Sequence, residues 1–260
     1  MKRFARIIGT GSYLPPKIIT NSELEKTLDT SDEWITGRTG IKERRVVDGE
    51  STCDLALEAS KKALEMAEIS ASEIDLIILA TTTPDKIFPA TATMLQNRIG
   101  ANCPAFDLQA VCAGFIFALT TAQQYIENGV YKNVLVVGSE TMSRIVDWSN
   151  RSTAVLFGDG AGAVVLSQDN KTGIKFSKIH SDGSYLSALQ VNNNYINETG
   201  YIEMTGNAVY KIAVNQLSNL ADEIIKACNL NSNEISWMIP HQANIRIITA
   251  IAKRINLPMN

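Results

Sequence analysis

Two hydrophobic rhythms alternate along the chain. Short apolar runs with strand character occur at Ala5–Gly9, Leu76–Ala80, Ala105–Leu108, Val134–Val137, Ala163–Ser167, Ile174–Ile179 and Trp237–Ile239. Between them lie longer stretches with helical spacing: Thr52–Ala67, Ala90–Ile99, Ala113–Asn128, Ala208–Cys228 and Ala243–Ile255. The first of these begins behind Ser51 with Asp54 three residues on, a capping-box pattern. Gly100 and Gly129 stand where helix exits are expected. Strand and helix patterns that alternate in this way predict a layered α/β fold.

Part of the pattern occurs twice. Ala63–Ile74, leading into Asp75-Leu76-Ile77-Ile78, matches Ile224–Ile235, leading into Ser236-Trp237-Met238-Ile239, with Glu73 corresponding to Glu234. Gly11-Ser12-Tyr13-Leu14 is echoed by Gly183-Ser184-Tyr185-Leu186 at a larger offset, which points to an insertion near Thr30–Val47. Two matches in the same order predict a duplicated fold, with one half over residues 1–170 and a second over 171–260. In the first half about 85 residues follow strand Leu76–Ala80 before the sheet closes, so an equivalent second half would need about 60 more residues than the chain holds. The second half is therefore expected to be incomplete.

The junction between strand Phe106–Val111 and helix Ala113–Asn128 holds Cys112. A thiol there faces the unpaired amides and positive end of the helix, which favour thiolate. The small neighbours Ala113 and Gly114 permit a sharp turn of the nucleophile-elbow kind. Spacing alone leaves open a buried structural cysteine. His241, in Pro240-His241-Gln242-Ala243-Asn244, follows a second-half strand, at the strand end where α/β sheets keep their chemistry. A structural histidine is the plain alternative.

Composition narrows the class. The 260 residues are 45% hydrophobic and 20% charged, with a formal charge of -3. This is globular composition, and it argues against a nucleic-acid binder. No apolar run reaches the length of a membrane span, and the start lacks a signal-peptide pattern, so a cytoplasmic protein is expected. Cys53, Cys103, Cys112 and Cys228 show no CxxC pairing and there are two histidines, so neither a metal site nor a disulfide framework is expected. Gly158-Asp159-Gly160-Ala161-Gly162 invites a nucleotide-loop reading, but Val164-Val165-Leu166 after it reads as strand, not helix, and a turn into a strand is expected.

Seven stretches together carry a resemblance over essentially the whole chain: Gly9–Pro15, Asp29–Ile35, Arg38–Ile41, Ala110–Phe115, Phe157–Ala163, His180–Tyr185 and Pro240–Asn244. The chain resembles the β-ketoacyl-acyl carrier protein synthase III family of the thiolase superfamily. The resemblance implies a duplicated αβαβα layered fold, its second half incomplete here. It implies the reaction that starts fatty-acid synthesis: an acyl group passes from acyl-CoA to Cys112 and condenses with malonyl-acyl carrier protein as carbon dioxide leaves. His241 would be a catalytic donor, joined in the family by an asparagine whose segment lies beyond residue 260, at the second-half counterpart of Cys112. Trp34 and Arg151 would clasp the adenine ring, Thr30 and Arg38 would lie near the CoA phosphates, and Gly206 and Asn244 would line the pantetheine tunnel. Phe88 would reach across a homodimer to shape the partner's acyl pocket. Arg246, Lys253 and Arg254, spaced along one helix face, and Lys211 would meet the acidic carrier protein. CoA enters as substrate, and no cofactor is implied. Another thiolase-fold condensing enzyme, such as a hydroxymethylglutaryl-CoA or polyketide synthase, and a chain that only binds CoA or a partner are the alternatives.

Overall fold

Leu76–Ala80 is apolar throughout and buried throughout, a condition a strand meets only when both faces of its sheet are covered. The computed structural model describes residues 2–192 and 200–259 and supplies that cover. In chain order its strands are β1 (Phe4–Tyr13), β2 (Lys17–Thr20), β3 (Glu43–Val46), β4 (Leu76–Ala80), β5 (Ala105–Leu108), β6 (Asn133–Thr141), β7 (Asp159–Asp169), β8 (Leu189–Val191) and β9 (Ile202–Met204). Its α-helices are α1 (Asn21–Leu24), α2 (Asp32–Thr39), α3 (Thr52–Ala67), α4 (Thr91–Ile99), α5 (Gly114–Glu127), α6 (Arg151–Ala154), α7 (Gly206–Cys228) and α8 (Ile245–Arg254). No helix among the described residues is long and apolar enough to cross a membrane.

The chain divides into two compact units. The first comprises Met1–Ile18, Arg45–Ser143 and Gly158–His180; the second comprises Ile19–Arg44, Arg144–Phe157 and Ser181–Asn260. These units differ from the expected halves, because Ile19–Arg44 and Arg144–Phe157 pack with the later residues.

The first unit is built on a mixed five-stranded sheet of order β1-β7-β6-β4-β5. β4 runs parallel to β5 and β6, while β7 is antiparallel to β6 and β1. Side chains alternate across it. Ile77, Leu79, Leu135, Val137 and Val165 pack with buried residues of α3 and α4 on one face. Leu76, Ile78, Val134, Val136 and Leu166 meet Ala118, Ala122 and Ile126 of α5 on the other. Helix α3 starts where capping predicts: Ser51 and Asp54 form the expected capping box ahead of it. The expected turn at Gly158–Gly162 is not formed: Asp159–Gly162 are already the first residues of β7, paired with β6 from Asp159 and with β1 from Ala161.

Two expected strands are not formed. Ile174–Ile179 makes a single backbone bond beside β1, from the Ile174 N–H to the Ala5 carbonyl at 2.8 Å, and one bond does not make a ladder. Trp237–Ile239 lies in the second unit with Trp237 79% and Ile239 86% exposed. It has no neighbouring strand among the described residues, and an extended segment becomes a strand only through such a neighbour. That unit instead rests on α8, whose Ile247, Ile251 and Ala252 are buried, together with α7, α2 and the hairpin β8–β9. Arg44, buried, donates to the Val155 carbonyl at 2.7 Å and to Asn21 Oδ1 at 2.6 Å. Asn21 in turn donates to Asp32 at the head of α2 at 2.6 Å, so each nitrogen of the desolvated guanidinium has an acceptor and one of those acceptors is itself held.

The GTG run has a packing role. A Cβ on Gly11 would overlap the Ala59 carbonyl oxygen, and one on Gly9 the Ala63 carbonyl oxygen, so β1 lies directly on the backbone of α3. Gly11→Ala should lower unfolding free energy by about 2 kcal/mol or more, because neither partner is a flexible side chain that can yield. Urea denaturation measures this, and an unchanged midpoint contradicts it.

Candidate active site

The carboxyl ends of the three parallel strands β4, β5 and β6 converge on one edge of the first unit's sheet. After β5 the chain turns through a short 3-10 segment, Val111–Ala113, into α5. Val111 has φ +49°, a left-handed conformation that a β-branched residue rarely adopts. The turn is braced from below: the Thr81 N–H donates to the Leu108 carbonyl at 3.2 Å, and Gly114 lies against Ala80, whose Cβ would be 3.1 Å from any added Cβ. Cys112 sits at the crest of this turn, exposed, and the expected elbow is present in the backbone.

The ionisation of Cys112 differs from expectation. Desolvation pushes the thiol above its ordinary value. Its own backbone N–H pulls the other way, and the Glu140 carboxylate pushes it further up. The head of α5 therefore helps, but too little to make a resting thiolate. Surface access and ionisation report different things here: the sulfur can be reached from solvent, while the protein around it still disfavours charge. Of the other cysteines, Cys53 is buried and Cys103 and Cys228 are half-buried.

The remaining positions lie in the second unit, except Phe88. Trp34 is the centre of a cationic cluster. The Arg38 guanidinium lies 5.0 Å and that of Arg151 4.9 Å from its ring centroid. Arg151 is tethered by a 2.7 Å bond to the Asp29 carbonyl. Trp34 and Arg38 line an open surface groove with Ser31, Glu33 and Gly37. Next to it in sequence, Thr30 Oγ1 is enclosed without a hydrogen-bond partner among the described residues. An aromatic plane, two guanidinium groups and an orphaned hydroxyl suit a ligand that joins a flat heteroaromatic ring to phosphate.

His241 is exposed and precedes α8, and desolvation lowers its pKa, which favours the neutral imidazole. Asn244 caps α8: its Oδ1 accepts from the Arg246 N–H at 2.8 Å. Its side-chain oxygen thus has a structural task that the sequence reading missed, although Asn directly before a helix is a capping signal. Gly206 opens α7, and a Cβ there would meet only Met204 Cε at 3.7 Å, ordinary contact. On the basic face Arg246 stacks on Tyr210, its guanidinium 5.2 Å from the ring centroid, and Arg254 is paired with Asp222 at 2.8 Å, while Lys253 and Lys211 are exposed. In the first unit Phe88 is 82% exposed beside Ile87 at 68%, an apolar tip on the β4–α4 loop.

Alkylation of Cys112 by iodoacetamide should rise about tenfold per pH unit through neutrality and keep rising into alkaline solution, since the thiolate alone reacts. Intact mass against a Cys112→Ala control measures it. A rate already flat at pH 7 would mean a resting thiolate and contradict the raised thiol.

Comparison with known proteins agrees with the motifs. Residues 106–183 match the model of 3-Oxoacyl-[acyl-carrier-protein (ACP)] synthase III, and residues 225–260 match that of its C-terminal part. A beta-ketoacyl-[acyl-carrier-protein] synthase III of Vesicomyosocius okutanii is 69% identical over all of this chain and 83% of its own length. One of Neisseria meningitidis is 52% identical over 99% of this chain and 83% of the relative. The crystal structure of 3-oxoacyl-[acyl-carrier-protein] synthase III from Aquifex aeolicus superposes with a TM-score of 0.94 at 48% identity, over 98% of this chain and 82% of that one. A priming beta-ketosynthase of the R1128 polyketide pathway superposes nearly as well, TM-score 0.90, but at 34% identity, over 99% of this chain and 80% of that one. Fold alone does not separate these chemistries, whereas identity over the full chain does. The thiolase-like architecture, the strained cysteine turn and the extent of shared sequence lead to one assignment: the chain belongs to the 3-oxoacyl-[acyl-carrier-protein] synthase III family of condensing acyltransferases.

Proposed function

We propose that Cys112 is the acyl-carrying nucleophile of this condensing enzyme and that His241 is a donor for its second step. The observation that carries the reading is an exposed thiol on a strained turn at the head of a buried helix, where three parallel strands end. In the first step the Cys112 sulfur attacks the acyl-CoA thioester carbonyl; the carbon–sulfur bond to CoA breaks, and CoA leaves as its thiol with the proton from Cys112. In the second, the carbon–carbon bond to the malonyl carboxylate breaks and carbon dioxide departs. The electron pair left on the α-carbon attacks the acyl-Cys112 carbonyl and the carbon–sulfur bond breaks, giving the 3-oxoacyl product and a Cys112 thiolate that takes up a proton from solvent. Negative charge builds on the malonyl thioester oxygen in that step, and a neutral imidazole N–H from His241 stabilises it. The lowered histidine pKa supports this role, because it keeps the imidazole neutral at physiological pH.

The CoA site in this reading is the Trp34 cluster, with Arg151 and Trp34 around the adenine ring and Arg38 and Thr30 toward phosphate. Gly206 and Asn244 flank the pantetheine arm. Lys211, Lys253, Arg246 and Arg254 face the acidic carrier protein, with Lys253 and Lys211 as the contributing charges since Arg254 is already paired with Asp222. The enzyme works in the cytoplasm as a homodimer, a reading supported by β5, a sheet-edge strand, and by the exposed Phe88 tip.

Incubation with acetyl-CoA should add one acetyl group to the protein, located on Cys112 by peptide mass and absent from Cys112→Ala. His241→Ala should still acetylate but lose about 10²–10³-fold in condensation with malonyl-acyl carrier protein, the usual cost of one oxyanion donor. Trp34→Ala should raise the acetyl-CoA KM by about 5- to 30-fold with little change in maximal acetylation, as loss of stacking and cation–π contact implies. Label elsewhere than Cys112 overturns the nucleophile. A folded protein that binds CoA yet takes no label is a binding protein only.

A further inference from the structure

Beneath the nucleophile turn lies a carboxylate that the two-step chemistry leaves without a task. Glu140, near the end of β6, is half-buried and receives five hydrogen bonds from three consecutive threonines at the end of β4. Oε1 accepts from the Thr82 N–H at 2.8 Å and the Thr82 hydroxyl at 2.6 Å. Oε2 accepts from the Thr83 hydroxyl at 2.5 Å, the Thr83 N–H at 3.1 Å and the Thr81 hydroxyl at 3.3 Å. All five donors are neutral, so they fix the carboxylate in place without supplying a countercharge.

The threonines are anchored on their other sides as well. The Thr83 hydroxyl accepts from the Thr141 N–H at 2.9 Å, and the Thr83 carbonyl accepts from the Thr52 hydroxyl at 2.6 Å at the head of α3. Thr81 holds Leu108 at the end of β5, and Ala80 supports Gly114, two residues past Cys112. Glu140 is thus linked to the nucleophile turn by a short chain of hydrogen bonds and packing contacts within one unit.

We propose that Glu140 is a positioning residue for Cys112: by clamping Thr81–Thr83 it fixes the floor on which the strained cysteine turn rests, and its carboxylate acts electrostatically on the sulfur. This rests on Cys112 being the nucleophile. The other acidic groups on the surrounding elements are engaged elsewhere. Asp107 of β5 accepts the Thr91 and Ala92 N–H groups, Asp159 of β7 accepts from Val47 and Ser143, and Glu127 ends α5 bonded to Gln123. On β1, Arg6 pairs with Asp169. Glu140 is also the charged group that raises the Cys112 thiol in addition to desolvation. Its effect is twofold: geometry favours attack, and charge adds to the desolvation that already favours the neutral thiol.

Two substitutions separate the parts. Glu140→Gln keeps the shape, removes the charge and turns one acceptor oxygen into a donor. Its Cys112 alkylation midpoint should move down by about half a pH unit or more, while acetylation from saturating acetyl-CoA slows by about tenfold. Glu140→Asp keeps the charge on a shorter arm; its alkylation midpoint should match the parent while acetylation stays slow. CoA affinity, read by quenching of tryptophan fluorescence, should not change in either. Should Glu140→Gln fail to fold, Thr82→Val removes one hydroxyl donor alone and should slow acetylation at an unchanged midpoint. Parent-like midpoints and rates in both Glu140 variants, or a lowered melting temperature as the only effect, overturn the proposal. Absence of acetyl label on parent Cys112 would overturn the nucleophile reading instead, and the alkylation midpoints still decide whether Glu140 acts on the thiol.

Discussion

The structure depends on a β-branched residue held where β-branched residues do not go. Val111 in the left-handed region costs about 1–3 kcal/mol, a cost that persists only when its surroundings leave no alternative. Those surroundings are the sheet. β5 cannot slide because Asp107 accepts the first amides of α4 and Leu108 is bonded to Thr81. α5 cannot retreat because Ala118, Ala122 and Ile126 are buried in the face of the sheet. Strand and helix are each fixed, and the residues between must join them whatever conformation that requires. The exposed sulfur of Cys112 is a consequence of that mismatch.

Rigidity of this kind has to come from close packing, and the chain achieves it by removing side chains as much as by adding them. Gly9 and Gly11 let β1 lie against the backbone of α3, and Gly114 lets the nucleophile turn lie on Ala80. The second unit is organised otherwise. Its long helix α7 buries only Ser218, and Trp237 and Ile239 lie open to solvent. Its order comes from local devices: a satisfied buried Arg44, an Asn244 cap, and arginines stacked on Trp34 and Tyr210. A chemistry needing one fixed nucleophile and an adaptable ligand site would draw on both styles.

How much of this the sequence revealed follows the same division. Strand β4 and helix α3 match the expected bounds residue for residue, because a continuous apolar run and a strong cap are written in local sequence. β5 begins and ends as its apolar run indicates but does not continue to Val111, because the chain leaves the sheet after Leu108 for the 3-10 turn. Trp237–Ile239 has the same apolar pattern as β4 but no ladder, since pairing depends on a neighbour rather than on the segment itself. α2 was not visible as a helix: its apolar residues do not form a stripe, and Gly37 interrupts it. Only its caps, Ser31 and Gly40, signal it. The sharp turn at Cys112 was legible from position, and the contact of Trp34 with Arg151 from resemblance. Glu140 was not, because its significance lies in three threonines distant in sequence.

The least expected feature, a thiol biased toward its neutral form, fits the rest once the histidine is considered with it. Desolvation raises Cys112 and lowers His241, so each is driven toward neutrality at physiological pH. A resting thiolate would suffer oxidation before any substrate arrived, and an imidazolium would bind anions. Two neutral groups avoid both, at the cost of having to move a proton during the first step. A thiol has an advantage here that an alcohol lacks, since even when desolvation raises it above its ordinary value it stays the more readily ionised of the two. The same desolvation that delays ionisation also strengthens every hydrogen bond offered to a developing oxyanion. Low polarity around the sulfur therefore slows the encounter with stray electrophiles more than it slows attack on a bound thioester, a difference that favours a carrier of acyl groups over a generally reactive cysteine.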